Sequence, residues 1–265
     1  MRVFISADIE GTTFTTLWDE TERDKPYYAA AAQQMTQEIK AACEGAVAAG
    51  ADYILVNDAH DFAVNLDVSQ LPECVEVIRG WTGSPFGMAD GIDESFDAAM
   101  FVGYHSAAGR CGNPLSHTFT TKTTEVRLNG MICSEFLLYS WACALKGVPT
   151  VLLSGDKMLT EDSQGLHPGL HTVAVKDGFG ASIKCLHPRV ACKKIAAASE
   201  QSLRQDLKQC AIKLPNHFVF EVAYKEQRDA VKRSFYPGFQ LINDRTIRME
   251  TDNYVDVLRA VEFVL

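Results

Sequence analysis

Two carboxylates stand two residues apart near the start of the chain, at the point where its first apolar run ends. The run, Arg-Val-Phe-Ile-Ser at positions 2–6, is typical of a buried strand in a parallel sheet, and Asp8 and Glu10 follow it. Two acids are costly to place at the end of a buried strand unless a cation lies between them. The pair therefore predicts a metal site at the end of the first strand.

A histidine stands at the end of each of the next two strong apolar runs. Positions 51–56 form a second predicted strand, which His60 follows, and positions 97–104 form a third, which His105 closes. In open α/β sheets, sites gather outside the carboxyl ends of the strands. Because parallel neighbouring strands end at one edge of the sheet, we expect both imidazoles to lie near the two carboxylates.

Two further residues that can do chemistry follow the third strand. Glu135 begins a predicted helix that runs to about Lys146, just past Asn129-Gly130, a strong signal for a hairpin turn. His117 lies between the third strand and this hairpin, in a loop that contains glycines. We predict that Glu135 is a fifth metal ligand and that His117 moves protons or stabilises a developing oxyanion.

Three carboxylates and two imidazoles are more ligands than one four-coordinate zinc ion needs. The set suits two metal ions that share a bridging carboxylate, and Asp8, the ligand deepest in its strand, is the predicted bridge. Because no thiolate accompanies these nitrogen and oxygen donors, zinc fits the site, with manganese or cobalt as alternatives. Two such ions can lower the pKa of a bound water and polarise a carbonyl, which is hydrolytic chemistry. The predicted ligands are Asp8, Glu10, His60, His105 and Glu135.

Each of these residues alone also has a plain structural explanation. An acidic residue after a strand commonly caps a turn, and a single histidine is more often packed or exposed than bound to a metal. A glutamate at a helix N-terminus is favourable because of the helix dipole. The metal-site hypothesis therefore rests on the joint pattern.

The elements around these residues indicate an α/β protein. Apolar runs that end in polar residues alternate with helical patterns, such as the alanine-rich segment that Gly50 ends. This order predicts an open, mostly parallel sheet with flanking helices. Beyond Leu214 the pattern changes to alternating strands and short helices. We therefore expect a metal-binding catalytic domain at 1–190 and a smaller C-terminal α+β domain at 191–265.

Composition argues against two classes of partner and indicates a compartment. The net charge of −9, with no basic cluster, argues against binding to a nucleic-acid backbone. No window approaches the roughly 18 apolar residues of a membrane helix, so no membrane partner is expected. The first residues form a strand that ends in carboxylates rather than a signal peptide, so we expect a cytoplasmic protein.

Seven short stretches, taken together and in chain order, carry a resemblance to a known family. They are Ser6-Ala7-Asp8-Ile9-Glu10-Gly11, Val56-Asn57-Asp58-Ala59-His60, Gly103-Tyr104-His105, Ser116-His117, Asn129-Gly130 through Glu135, Ser154-Gly155-Asp156 and Thr172-Val173-Ala174-Val175-Lys176. This ordered set, which spans most of the first 190 residues, resembles the zinc-dependent D-aminopeptidase family, peptidase family M55, whereas the chain after about 210 resembles the family only in outline.

The resemblance implies an aminopeptidase that releases N-terminal D-amino acids, typically D-alanine, from short peptides. It also implies a homodecamer of two stacked pentameric rings, with active sites that face an inner chamber. By position, it implies two zinc ions per subunit, with Asp8 shared between them, and a catalytic His117. The residues that match the family's zinc ligands are Asp8, Glu10, His60, His105 and Glu135.

Two segments differ from the family's pattern, and two other functions stay open. The loops at 106–115 and 12–27 read differently, which leaves the stereochemical and side-chain preference open. The same ligands could serve a two-metal amidase or phosphoesterase that acts on a non-peptide molecule. Phosphate chemistry usually needs basic residues, and only Arg110 and Arg127 lie near the motifs. A non-enzymatic module that assembles on metal is the other alternative.

Overall fold

The computed structural model describes residues 1–265 as twelve strands and six helices, with short turns of 3₁₀ helix between them. The strands are β1 (Arg2–Ala7), β2 (Tyr53–Asp58), β3 (Val75–Ile78), β4 (Ala98–Tyr104), β5 (Thr123–Leu128), β6 (Met131–Ile132), β7 (Thr150–Asp156), β8 (His171–Phe179), β9 (Ser182–Cys185), β10 (Phe218–Tyr224), β11 (Phe239–Asn243) and β12 (Thr246–Thr251). The helices are α1 (Tyr28–Ala48), α2 (Glu135–Leu145), α3 (Lys157–Gln164), α4 (Pro188–Arg204), α5 (Gln227–Arg233) and α6 (Tyr254–Val264). None of these helices has the length and apolarity needed to cross a membrane.

A seven-stranded sheet with the order β3-β2-β1-β4-β7-β8-β9 forms the centre of the fold. The strands from β3 to β8 in this order are parallel, and β9 returns antiparallel to β8. The chain moves outward from β1 to β3 on one side and then crosses to β4 on the other side of β1. The carboxyl ends of β1 and β4 therefore flank a topological switch point, where open α/β sheets form their ligand-binding crevices. The predicted open, mostly parallel sheet with flanking helices is confirmed.

A second sheet of five antiparallel strands has the order β11-β12-β10-β5-β6. Strand β10, from the C-terminal part of the chain, pairs with β5, and the predicted Asn129-Gly130 hairpin joins β5 to β6. Both turn residues have positive φ, 51° at Asn129 and 79° at Gly130, as the favoured two-residue hairpin turn requires. The sheet thus combines segments from both sides of position 190, and the division into domains at 1–190 and 191–265 stays a prediction.

The two faces of the parallel sheet enter two separate apolar cores. Along β1, Val3 and Ile5 pack with α1 and α4 on one face, whereas Phe4 packs with α2 and the second sheet on the other. This alternation follows from the two-residue period of a strand. The polar residues after β1 are therefore held at the edge of a sheet that is packed on both faces, which limits where their side chains can lie.

One buried histidine links this core to the pH dependence of folding. His167, between α3 and β8, is 2% exposed; its Nε2 lies 3.0 Å from the Ser140 hydroxyl, and its Nδ1 has no hydrogen-bond partner. Burial lowers the pKa of His167 to about 4. The folded state therefore keeps this ring neutral at pH values where an unfolded histidine, with a pKa of about 6.5, binds a proton.

We expect the free energy of unfolding to fall by about 2 kcal/mol between pH 7.5 and pH 5 because of His167 alone, since the unfolded chain gains a proton that the folded chain lacks. His167→Gln, which does not titrate and can still accept from Ser140, should remove this contribution. Urea unfolding of both proteins at the two pH values, at one protein concentration, measures it. An identical pH dependence in the variant and the wild type would show that His167 contributes nothing.

Candidate active site

Strands β1 and β2 place three of the predicted ligands at the switch point. Asp8 and Glu10 follow β1, His60 follows β2, its neighbour in the sheet, and all three side chains are buried. Gly11 is required here because a Cβ on it would overlap the carbonyl of Tyr104. Only glycine therefore lets the turn after Glu10 pack against the end of β4.

Strand β4 and helix α2 bring in the other two predicted ligands. His105 follows β4, and Glu135 is the first residue of α2, whose N-terminus is capped by Ser134 accepting from the Leu137 N–H at 3.1 Å. Glu135 Oε1 accepts from the Phe119 N–H at 2.6 Å, which leaves Oε2 facing His105. Both side chains are buried. The structure thus brings all five predicted ligands to one place.

Asp8 lies in the middle of the five side chains. Its Oδ1 lies 3.5 Å from His60 Nδ1, and this imidazole nitrogen also lies 3.1 Å from Glu10 Oε2. Its Oδ2 lies 3.5 Å from His105 Nε2, which in turn lies 3.3 Å from Glu135 Oε2. Each oxygen of Asp8 therefore faces a different imidazole, as a carboxylate that bridges two ions would need.

A backbone carbonyl orients each imidazole of the cluster. His60 donates from Nε2 to the Thr21 carbonyl at 2.8 Å, and His105 donates from Nδ1 to the Ser106 carbonyl at 3.0 Å. The other ring nitrogen of each histidine faces the carboxylates, and its lone pair is free once the ring is neutral. Metal-binding histidines are typically held in this way by a hydrogen bond from their second nitrogen.

Hydrogen bonds made by Asp58 and Asn65 fix the segment that carries His60. Asp58 accepts from the backbone N–H groups of Asn65, at 2.6 Å, and Leu66, at 2.9 Å. The Asn65 side chain then donates to the His60 carbonyl at 2.7 Å. Asp58 therefore acts on the position of His60 through Asn65.

Two buried atoms at the centre of the cluster have no hydrogen-bond partner. They are Asp8 Oδ2 and His105 Nε2, which lie 3.5 Å apart without a hydrogen bond between them. Buried polar atoms are nearly always satisfied, so such a pair marks a place for another group. The cluster offers three carboxylates and two imidazoles, and two of its own atoms are unsatisfied. Such a donor set fits divalent ions that take nitrogen and oxygen ligands.

The pKa values of the clustered side chains indicate that the cluster needs positive charge. Burial, followed by the neighbouring Glu10, raises the pKa of Asp8 to about 8. Burial also opposes the ionisation of Glu10, but the adjacent His60 outweighs it and holds the pKa of Glu10 well below its usual range. Although burial disfavours charged imidazoles, the carboxylates raise the pKa of His60 well above its ordinary value and that of His105 to about 10. Protons here therefore supply charge that bound metal ions would otherwise supply.

His117 lies beside the cluster and differs from the other two histidines in its charge. Its ring stacks on that of His105 with centroids 4.2 Å apart, and its Nδ1 donates to the Leu115 carbonyl at 2.8 Å. Burial, followed by the neighbouring His105, lowers the pKa of His117 below its ordinary value, so the ring is neutral at pH 7. A neutral imidazole with Nδ1 as donor can accept a proton at Nε2.

The geometry also places His117 within reach of a metal ion. The donor atoms of His105, His117 and Glu135 all lie within 4.8 Å of one another, as do those of Asp8, Glu10 and His105. Distance alone therefore fits His117 both as a proton carrier and as a ligand. The two roles predict different metal contents for a variant that lacks this imidazole.

The cluster opens into a cavity of about 900 Å³, a volume in the range of small-molecule sites. Its walls include Trp18 and Trp81, and Trp18 meets the His117 ring edge-on at a centroid distance of 5.2 Å. No lysine or arginine lines the cavity. Three acidic residues other than the predicted ligands do line it, namely Glu22, Asp61 and Glu262. The cavity thus suits a ligand that carries positive charge together with an apolar part.

Comparison with known proteins places these features in a family. Residues 1–263 match the model of peptidase family M55, which is described as D-aminopeptidase. A D-aminopeptidase of Bacillus subtilis (strain 168) is 26% identical over 265 residues, which cover 98% of this chain and 95% of the relative. A solved structure, the Zn-dependent D-aminopeptidase DppA from Bacillus subtilis, described as a self-compartmentalizing protease, is similar with a TM-score of 0.93 at 24% identity, over 100% of this chain and 96% of that one.

Proposed function

The chain belongs to the D-aminopeptidase family, peptidase family M55, and from this premise we propose that it is a zinc-dependent aminopeptidase. Its substrates are short peptides, from which it releases N-terminal residues, in particular D-amino acids such as D-alanine. The observation that carries the proposal is the meeting of three carboxylates and three imidazoles, from five separate segments, in one cluster that opens into a cavity.

Five side chains would hold two zinc ions, with Asp8 between them. One oxygen of Asp8 serves the side of Glu10 and His60, and the other serves the side of His105 and Glu135. The unsatisfied Asp8 Oδ2 and His105 Nε2 support this assignment. When bound, the ions would activate a water molecule and polarise the scissile carbonyl.

The charges of the cavity wall favour the free ammonium group of a peptide's N-terminus. Glu22, Asp61 and Glu262, which are not among the proposed zinc ligands, line the cavity, and no lysine or arginine lines it to receive the carboxylate of a substrate. Trp18 and Trp81 offer apolar surface to substrate side chains. We therefore expect aminoacyl amides and peptide amides to be better substrates than free dipeptides, whose own carboxylate would lie near the acidic wall.

His117 transfers a proton from the attacking water to the leaving amine. Its Nδ1–H bond to the Leu115 carbonyl leaves Nε2 as the basic nitrogen, and burial keeps the ring neutral at pH 7. Nε2 accepts a proton from the attacking water and returns it to the leaving amine. Trp18, packed edge-on against the ring, limits its rotation away from this position.

The positions of the two basic residues near the motifs argue against phosphate ester hydrolysis and so favour peptide hydrolysis. Phosphoryl transfer uses lysine or arginine close to the metal ions. Arg110 instead pairs with Asp162 at 2.6 Å, and Arg127 pairs with Glu125 at 2.6 Å. Neither arginine lines the cavity.

A panel of small substrates tests the proposed activity. Zinc-loaded enzyme is expected to hydrolyse D-alanine amide faster than L-alanine amide, and to leave N-acetyl-D-alanine amide intact because the free ammonium is missing. D-alanyl-D-alanine amide should exceed free D-alanyl-D-alanine in kcat/KM by about fivefold, since removing one like-charge contact near a surface contributes on the order of 1 kcal/mol. Equal turnover of the acetylated and free amides, or turnover of neither, would contradict an aminopeptidase.

We also propose that the chain forms a cytoplasmic homo-oligomer, a decamer with an inner chamber. The similarity to a protein described as a self-compartmentalizing protease supports this proposal. A closed chamber would exclude folded proteins and restrict the substrates to short peptides. Light scattering should then give about ten times the 29.2 kDa mass of one chain.

A further inference from the structure

The backbone carbonyl of Glu10 accepts hydrogen bonds from two buried side chains that come from distant parts of the chain. Lys176, in β8, donates from Nζ, and Asn113, in the loop after β4, donates from Nδ2 at 2.9 Å. All three residues are at most 4% exposed. Neither Lys176 nor Asn113 lines the cavity, so the function proposed above makes no use of them.

The buried ammonium group of Lys176 is used to hold backbone rather than to pair with a carboxylate. Its two hydrogen-bond acceptors are the carbonyls of Glu10 and, at 2.6 Å, Thr15. Asp156, its partner in the register of β7 and β8, accepts instead from the N–H and hydroxyl of Ser106. Because a buried charge is costly, an apolar residue would serve packing better at this position. What Lys176 adds is two donors aimed at one turn.

That turn carries Glu10 at a point where the sheet no longer fixes the chain. Strand β1 ends at Ala7, and only two backbone bonds then join this segment to β4: Asp8 N–H to the Val102 carbonyl at 2.9 Å and Gly11 N–H to the Gly103 carbonyl at 2.7 Å. Between these two points, the donors on the Glu10 carbonyl are side chains. Their loss would leave a buried carbonyl unsatisfied, and rotation of the peptide to find another donor would move the Cα–Cβ bond of Glu10.

We propose that Lys176 and Asn113 are positioning residues that hold the Glu10 carboxylate against His60 and so set the zinc affinity on that side of Asp8. This inference rests on the proposed function, since it requires that Glu10 bind a metal ion. The contact at stake is the 3.1 Å approach of Glu10 Oε2 to His60 Nδ1. Residues that support a metal ligand typically change metal affinity by about 10–100-fold when they are replaced.

Zinc affinity of the full-length chain tests the inference directly. Lys176→Met keeps the length of the side chain and removes its donors. Competition with a chromophoric chelator should show one of the two zinc sites weakened by about 10–100-fold and the other unchanged. Asn113→Ala, which removes one donor and no charge, should weaken the same site. Saturating zinc should restore much of the lost activity of both variants.

A destabilised variant whose substituted residue neither belongs to the cluster nor lines the cavity distinguishes positioning from a general loss of stability. Leu128→Ala removes a fully buried side chain in the second sheet and should leave both zinc affinities within about twofold of the wild type. Equal weakening in Leu128→Ala and Lys176→Met would overturn the inference. So would wild-type affinity at both sites of folded Lys176→Met. If that variant does not fold, Asn113→Ala decides by the same criterion.

Zinc binding and peptide hydrolysis by the wild-type chain distinguish a failure of this inference from a failure of the proposed function on which it rests. Two bound zinc ions and peptide hydrolysis in the wild type, with unchanged affinity in the folded variants, would overturn the positioning role alone. A wild-type chain that binds no zinc would overturn the proposed function and the positioning role together.

Discussion

Replacing Asp8 with alanine is expected to abolish zinc binding at both sites and to lower kcat/KM by at least about 10⁴-fold, or ~5.4 kcal/mol of transition-state stabilisation. The two oxygens of Asp8 lie 3.5 Å from His60 Nδ1 and 3.5 Å from His105 Nε2, so both halves of the cluster share this one carboxylate. Without it, each half keeps one carboxylate and one imidazole, fewer than the three protein ligands of a typical catalytic zinc site. Elemental analysis after dialysis and steady-state kinetics measure the two effects.

Glu10→Ala is expected to lose less zinc than Asp8→Ala. Glu10 makes its close imidazole contact with His60, at 3.1 Å, so its loss should remove one zinc ion and leave the other. Asp52→Ala is the matched control, because Asp52 is exposed at the opposite end of β2 and binds the chain's N-terminus. It should keep two ions and full activity. An Asp8→Ala protein that retains two zinc ions would contradict the bridging role of Asp8.

Replacing His117 with asparagine is expected to lower kcat by about 10²–10⁴-fold while KM and zinc content stay near the wild type. An asparagine amide can still donate to the Leu115 carbonyl, as His117 Nδ1 does at 2.8 Å, but it offers no basic nitrogen in place of Nε2. The loss should therefore fall on proton transfer. Since burial lowers the pKa of His117 below its ordinary value of about 6.5, the acid limb of wild-type kcat/KM should lie below that pH and be absent in the variant.

The zinc content of the His117→Asn protein distinguishes a proton carrier from a metal ligand, the two roles that the geometry of His117 fits. His105, His117 and Glu135 present donor atoms within 4.8 Å of one another, which is close enough for a shared ion. A His117→Asn protein that loses one zinc equivalent would identify this residue as a ligand and contradict its role as proton carrier. A protein that keeps both ions and loses turnover would support the proton carrier.

The strand-end residues of the site could be predicted because the physical argument is local. Asp8, Glu10, His60 and His105 each follow an apolar run, and a parallel sheet brings the carboxyl ends of its strands to one edge. Glu135 could be placed because the hairpin signal before it and the helix after it are both strong. That these residues bind zinc remains a proposal, since proximity is what the structure adds.

The cavity walls and the second sheet could not be predicted, because both depend on contacts between distant segments. Trp18 stands in a single 3₁₀ turn and Trp81 in a loop, where no periodicity marks a role. Nothing in the alternating pattern of β10 shows that it pairs with β5, which lies far earlier in the chain. A lysine in a strand is normally exposed, and only the fold shows that Lys176 is buried and donates to the Glu10 carbonyl.

Titration of metal-free enzyme with zinc tests the central claim most directly. The chain is stripped with a chelator, zinc is returned in measured equivalents, and hydrolysis of D-alanine amide is followed at each step. A two-ion site in which Asp8 is shared predicts no turnover in the stripped protein and a plateau at two equivalents per chain. Turnover that persists in the stripped protein, or that does not respond to added zinc, would contradict a zinc-dependent aminopeptidase.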